Sequence, residues 1–233
     1  MATNIPLITI DGPSGSGKGT IAKRLASDYG LQLLDSGALY RVLGLAAARR
    51  ELALDDDVRL ERLAATLAVS FEVNDAEDGV SVMLDGDDVS REIRTEQAGS
   101  SASIVAAIPE VRSALLQRQR DFSQLPGLVA DGRDMGTVVF PQAQVKIFLT
   151  ASAQERAQRR YKQLLEKGFD ADLAEILSDV EARDARDTQR TVAPLVPAED
   201  ALELDSTELT IDQVLAKIRL QVADKLPDLS NKC

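Results

Sequence analysis

The chain has no histidine and no tryptophan, and its single cysteine, Cys233, is the last of 233 residues. Without histidine, the commonest general base and any imidazole metal site are excluded. With one cysteine, no disulfide can form within the chain, which fits a reducing compartment. Aromatic residues make up only 3%, too few to build stacking platforms for single-stranded nucleic acid. Basic residues are outnumbered 27 to 38, for a net charge of −11. A grip on a nucleic-acid backbone is therefore not expected, and any cations that bind anions must be clustered locally. No apolar run approaches the ~20 residues a membrane-spanning helix needs. The first residues show neither the basic region nor the apolar core of a secretory signal. The expectation is a cytoplasmic monomer with no nucleic-acid or membrane partner. Hydrophobic residues, at 44%, suffice for a core. The length suits one domain with an insertion or two small domains.

What is present begins at residue 5. Ile5-Pro-Leu-Ile-Thr-Ile10 reads as a short buried strand. It runs into Gly12-Pro-Ser-Gly-Ser-Gly-Lys-Gly-Thr20, followed by a helical pattern with Ile21, Leu25 and Ala26 on one face and Gly30 as its stop. Strand, glycine loop, lysine and helix together predict a phosphate-binding loop. Backbone N–H groups of the loop and of the helix N-terminus converge where they can cradle an anion. Lys18 then reaches the outer phosphates as a point charge. The phosphate-binding set is accordingly Gly12, Pro13, Ser14, Gly15, Ser16, Gly17, Lys18, Gly19 and Thr20, which becomes the ATP-binding set if the anion is that nucleotide. The usual Ser/Thr after the lysine is replaced by Gly19, with Thr20 one residue later.

Four more apolar runs, Leu31–Leu34, Leu128–Ala130, Val145–Leu149 and Ala201–Leu204, alternate with helical patterns. This predicts a five-stranded parallel sheet flanked by helices. Ser152-Ala-Gln-Glu155 and Thr210-Ile-Asp-Gln213 are capping-box starts, the first helix ending near Gly168. Residues 66–100 break the alternation. Val69–Val73 and Val80–Leu84 alternate apolar and polar residues around a turn-like Asn74–Gly79, which predicts an antiparallel hairpin inserted in the parallel fold. The small, polar run Glu96–Ser103 suits a hinge. Further on, the apolar stripe Leu173, Ile176, Leu177, Val180 continues as Arg183/Asp184, Asp187 and Arg190. Such a change predicts that the charged end leaves the core, either as a solvated face of weak ion pairs or as a mobile lid.

Ligands of a parallel sheet sit at the carboxyl ends of its strands. Asp35-Ser-Gly-Ala-Leu-Tyr-Arg41 follows the second predicted strand, and Asp131-Gly-Arg-Asp134 follows the third. Asp131 stands where a carboxylate would orient Mg²⁺ or its water. A nucleoside triphosphate brings about four negative charges and a phosphorylated acceptor nearly two more. Bringing them together needs a strongly cationic site. Lys18, Arg41, Arg112, Arg133, Arg183 and Arg190 supply one. A phosphate acceptor is already ionised at pH 7 and needs no base, so positioning and charge stabilisation remain as the catalytic means.

Four motifs together carry a resemblance: G-P-S-G-S-G-K-G-T at 12–20, D-S-G-A-L-Y-R at 35–41, A-D-G-R-D-M-G-T-V-V-F-P at 130–141 and R-D-x-R-D at 183–187. The chain resembles the bacterial cytidylate kinases, which are nucleoside monophosphate kinases, over nearly its whole length. The resemblance implies an α/β P-loop NTPase fold with a kinase core at 1–65 and 101–233. It also implies a monophosphate-binding insert at 66–100 and a short lid at about 183–195. It implies phosphoryl transfer from ATP to CMP or dCMP. Ser36, Ser103 and Asp134 would contact the cytidine, with Arg183 near the base. Arg41, Arg112, Arg133 and Arg190 would hold phosphates, and Asp187 joins the CMP-binding set. Lys18, Arg133, Arg183 and Arg190 form the catalytic set. Mg²⁺ would enter with ATP, with Thr20 and Asp131 as candidates for contact with it or its waters. Two other readings stay open on the residues alone. One is a kinase for another nucleotide or a small hydroxyl metabolite, with Asp35 or Asp134 as base. The other is a nucleotide-dependent switch, although no Asn-Lys-x-Asp guanine motif is present.

Overall fold

A computed structural model describes residues 5–73, 80–166, 168 and 170–230. The chain forms two compact units, Met1–Leu34 with Arg120–Cys233, and Asp35–Gln119.

The first unit is built on a parallel sheet. Its strands are β1 (Leu7–Asp11), β2 (Gln32–Asp35), β6 (Leu128–Gly132), β7 (Val145–Thr150) and β8 (Leu202–Asp205), in the spatial order β2-β6-β1-β7-β8. All five strands read from the apolar runs are present. Every residue of β1 and β6 is buried, as expected of central strands covered on both faces. Helix α1 (Lys18–Tyr29) places Ile21 and Leu25 against this sheet, and α8 (Ile211–Lys225) adds Val214, Leu215, Ile218 and Val222 to the same core. The Thr210–Gln213 capping box of α8 is complete. That of α6 (Ala153–Glu166) is only half made: the Glu155 N–H donates to Ser152 Oγ at 3.2 Å, but the Glu155 carboxylate accepts from Arg159 Nε instead. Gly168 follows α6 with φ 78°, its N–H donating to Leu165 O, as a helix stop should. A short α9 (Pro227–Ser230) follows α8. Register matters most for function. Asp11 pairs with Gly132 of β6 and Phe148 of β7, so the loops after β1 and β6 leave the same end of the sheet side by side.

The second unit packs α2 (Ser36–Arg49), α3 (Asp57–Ala65), α4 (Glu96–Val105) and α5 (Pro109–Arg120) with an antiparallel sheet around one core that includes Leu43, Leu60, Leu84 and Leu115. The predicted hairpin is present as β3 (Val69–Val73) and β4 (Val80–Leu84), with a short third strand, β5 (Asp87–Asp88). Its expected turn, Asn74–Gly79, lies outside the described residues.

The run 96–103 is not a hinge. It forms most of α4, capped by Thr95 Oγ1, which accepts the Ala98 N–H at 3.2 Å. Its small residues serve close packing: a Cβ on Gly44 of α2 would lie 2.9 Å from Ser101 Cβ.

Helix α7 (Leu173–Gln189) also departs from expectation. Its apolar start is the less buried part, with Leu173 39% exposed, while Asp187 and Arg190 at its far end are 5% and 9% exposed. The charged face is turned inward because it finds opposite charges there.

Candidate active site

Gly17, with φ 92°, is the turn residue before α1, and no side chain among the described residues caps the helix N-terminus. Gly12 has φ 152°, and a Cβ there would sit 2.0 Å from Leu149 O. No side chain fits that start of the loop. The Ser16 hydroxyl is buried with no hydrogen-bond partner among the described residues. A buried donor in a loop of converging N–H groups suits a phosphate oxygen. Lys18 Nζ donates to Pro13 O at 3.1 Å and lies 3.9 Å from Asp131 Oδ1. The departure at Gly19 has a local reason: a Cβ there would come within 3.2 Å of Asp131 Oδ2. A side chain at 19 would therefore press on the Asp131 carboxylate.

Behind β6, Asp134 precedes a π-helical turn, Met135–Val139, in which the Val139 N–H donates to Asp134 O and the Phe140 N–H to Met135 O. Such turns are rare and concentrate at functional sites. Arg133 Nε donates to Asp187 Oδ2 at 2.7 Å, and Arg190 Nη2 lies 3.8 Å from Asp134 Oδ1. Burial pushes the Asp187 carboxyl up, but the Arg133 guanidinium, with Arg190 and Arg183, outweighs this and holds it below its ordinary value. Burial likewise pushes Arg133 down, and Asp187 more than restores it, so its pKa is raised. Arg183 donates to Ser14 Oγ at 3.0 Å. Of the predicted residues in the first unit, the structure brings Arg133, Asp134, Asp187 and Arg190 into one ionic cluster, and ties Arg183 to the phosphate loop.

In the second unit, Asp35 Oδ1 accepts the Ala38 N–H at 3.1 Å and so caps α2. This gives Asp35 a structural role and leaves Ser36 buried in the first turn. Arg41 donates to Ile93 O at 2.9 Å. Arg112 donates to Ala106 O at 3.1 Å and lies over the Tyr40 ring, 5.8 Å from its centroid. Ser103 is buried on α4. These four residues are spread over three helices of this unit.

Two features were absent from the sequence reading. Arg156 of α6 donates to Ser14 O at 3.0 Å, to Ala151 O at 2.9 Å and to both carboxylate oxygens of Asp184. Beside it lies a cleft of about 650 Å³, lined by Gly15–Ile21, Arg156, Arg159, Arg160, Ser206, Leu209 and Thr210 among others. The Arg156-x-x-Arg159-Arg160 run just after the capping box was its only sequence signal.

The second missed feature is Asp11. Its carboxylate accepts the Met135 N–H and the Gly136 N–H, each at 2.8 Å. Burial pushes its pKa up to about 7, Asp134 and Asp131 add to the rise, and the two N–H bonds only partly offset it. The folded state therefore holds this proton more tightly than the unfolded chain. The resulting contribution to stability is complete below the ordinary value of 3.8 and is lost as pH rises to about 7. Asp11→Asn should remove that slope. Thermal melts at pH 5 and pH 8 check this: the Tm of the variant relative to wild type should be higher at pH 8 than at pH 5.

Among the described residues, no helix is long and apolar enough to cross a membrane, and no group of three or more His, Cys, Asp or Glu side chains could hold a metal ion. A profile of the cytidylate kinase family matches residues 8–224. A cytidylate kinase of Aeromonas salmonicida (strain A449) is 58% identical over 225 residues, 97% of each chain. Another, of Pseudomonas syringae pv. tomato, is 59% identical over 223 residues, 96% of this chain and 97% of the relative. Among solved structures, an uncharacterized protein from Eubacterium ventriosum is 11% identical with a TM-score of 0.51, covering 95% of this chain and 99% of the other. That is a likeness of fold alone.

Proposed function

The chain belongs to the cytidylate kinase family, and we propose that its phosphate loop and ionic cluster carry out the family's reaction. The enzyme transfers the γ-phosphoryl group of ATP to CMP or dCMP, giving ADP and CDP or dCDP. Residues 12–20 hold the ATP phosphates, with Lys18 on the outer pair. The 650 Å³ cleft beside the loop takes the donor's nucleoside part, within the size range of small-molecule pockets. The CMP-binding set is Ser36, Arg41, Ser103, Arg112, Arg133, Asp134, Arg183, Asp187 and Arg190. Residues 66–100 form the monophosphate insert and about 183–195 the lid. The protein acts as a cytoplasmic monomer.

Thr20 and Asp131 suit Mg²⁺ brought in with ATP, because this ion keeps waters and phosphate oxygens and takes only one or two carboxylates. The ion, when bound, neutralises charge developing between the phosphates. Lys18, Arg133, Arg183 and Arg190 do the rest by position: cations already in place once the lid has closed need no rearrangement as charge shifts from donor to acceptor. No side chain has to take a proton from the acceptor phosphate.

The observation that carries this reading is the Arg133–Asp187 pair beside Asp134 and Arg190, buried at the sheet end from which the phosphate loop also emerges. It supports a site for a second anion with a nucleobase that donates a hydrogen bond. Cytosine offers its N4 amino group to a carboxylate, and uracil puts a carbonyl there. Asp134 should therefore make CMP preferred over UMP. Asp134→Asn, whose amide can turn to donate, should be slower and should narrow the CMP/UMP ratio of kcat/KM by roughly 5- to 150-fold. A coupled ADP-release assay with ATP·Mg²⁺ and CMP, dCMP, UMP and AMP tests both statements. A slower variant with an unchanged ratio would show that Asp134 serves phosphate geometry and not base readout.

A further inference from the structure

We propose that Asp11 is a positioning residue for the acceptor base: it clamps the turn that carries Asp134 and so sets how strictly cytosine is separated from uracil. This rests on the reading of Asp134 as the residue that meets the cytosine amino group.

Asp11 is the last residue of β1, held in register between β6 and β7. Its backbone is thus as rigid as the central sheet. Its two oxygens each take one N–H, from Met135 and Gly136, the two residues directly after Asp134. Consecutive peptide planes are fixed by one carboxylate. On the other side, Asp134 O accepts the N–H groups of Val138 at 2.9 Å and Val139 at 3.1 Å. The backbone around Asp134 is therefore gripped at several points.

The clamp leaves no slack. A Cβ on Gly136 would meet Thr9 Oγ1 at 2.9 Å, Lys146 Cδ at 3.3 Å and Asp11 Oδ2 at 3.4 Å. Thr9 Oγ1 itself has no hydrogen-bond partner among the described residues, so it contributes bulk and leaves the two N–H groups to Asp11. Only a carboxylate satisfies both. An asparagine offers one acceptor and one donor, and its amide would face an N–H. Positional errors of about 1 Å in an aligned site cost up to ~10²-fold in rate. A carboxylate reading one amino group is more sensitive than a cation attracting a phosphate, because hydrogen bonds weaken steeply with angle.

The test compares wild type, Asp11→Asn and Asp134→Asn at pH 8, measuring kcat/KM for CMP and for UMP and the KM for ATP. Asp11→Asn should narrow the CMP/UMP ratio by at least about fivefold, with the KM for ATP within threefold of wild type. A side chain that only supports the fold would lower both substrates together, and that outcome overturns the proposal. If Asp134→Asn narrows the ratio and Asp11→Asn does not, the proposal fails alone. If Asp134→Asn leaves the ratio unchanged, the base reading fails and takes the proposal with it. Should Asp11→Asn not unfold cooperatively, Gly136→Ala strains the same clamp. It should narrow the ratio, and the double variant Thr9→Ala/Gly136→Ala should recover most of it. An unchanged ratio in folded Gly136→Ala also overturns the proposal.

Discussion

Lys18→Met is expected to lower kcat by about 10²–10³-fold, the usual loss for one preorganised charge contact on a reacting oxyanion. Lys18 is the loop's own cation, its ammonium held by Pro13 O at the edge of the cradle. Its side chain is only 10% exposed, so its charge acts through little water and is weakly screened. Methionine keeps the unbranched stem and its packing but carries no charge. The helix behind it, α1, draws its stability from Ile21, Ala22, Leu25 and Ala26 in the core, none of which is touched. Cooperative unfolding should persist. Steady-state kinetics with saturating CMP, beside a thermal melt, checks both halves. Turnover within threefold of wild type in a folded variant would remove Lys18 from the reaction.

The buried strands were readable because parallel strands covered on both faces are continuous apolar runs. β1, β6 and β7 stand out in that way, and the polar clusters after β1 and β6 follow from the direction of the strands. Residues 96–103 misled because small, polar residues serve equally a flexible joint and a tight helix crossing. The Thr95 cap and the close approach of Gly44 to Ser101 decide for the helix. The far end of α7 misled because charged residues are normally solvated. Asp187 is buried by a partner, Arg133, 54 positions away in sequence, which local pattern cannot reveal. Asp11 was hidden for the same reason: its two donors lie 124 and 125 positions away. Arg156 shows the same limit: its partners Ser14 and Asp184 lie 142 and 28 positions away. What sequence pattern conveyed was each element and its loop. What it lacked was which opposite charges the fold brings together.

Asp187→Ala should be the most damaging single change outside the phosphate loop. The carboxylate accepts from Arg133 Nε at 2.7 Å, and side-chain exposures of 6% and 22% place the pair largely out of water. Removing one partner of a buried pair leaves the other charge uncompensated, at a cost of about 3–5 kcal/mol. Arg133 being partly exposed, the lower end, about 3 kcal/mol, is expected. Arg133 would then turn toward Asp131 or water and lose its aim, so kcat/KM for CMP should fall by ~10²-fold or more. Asp187→Asn keeps an acceptor for Arg133 without the charge and should fall between the two. The pH dependence gives an independent signature. Asp187 is held below its ordinary value of 3.8, so the stability it contributes is present above that value and is lost as pH falls toward its lowered folded pKa. Urea unfolding of wild type between pH 6 and pH 3 should show that loss, and Asp187→Ala should show less of it. If Asp187→Ala matched wild type in unfolding midpoint and in CMP turnover, the pair would be incidental and Arg133 would be oriented by something else.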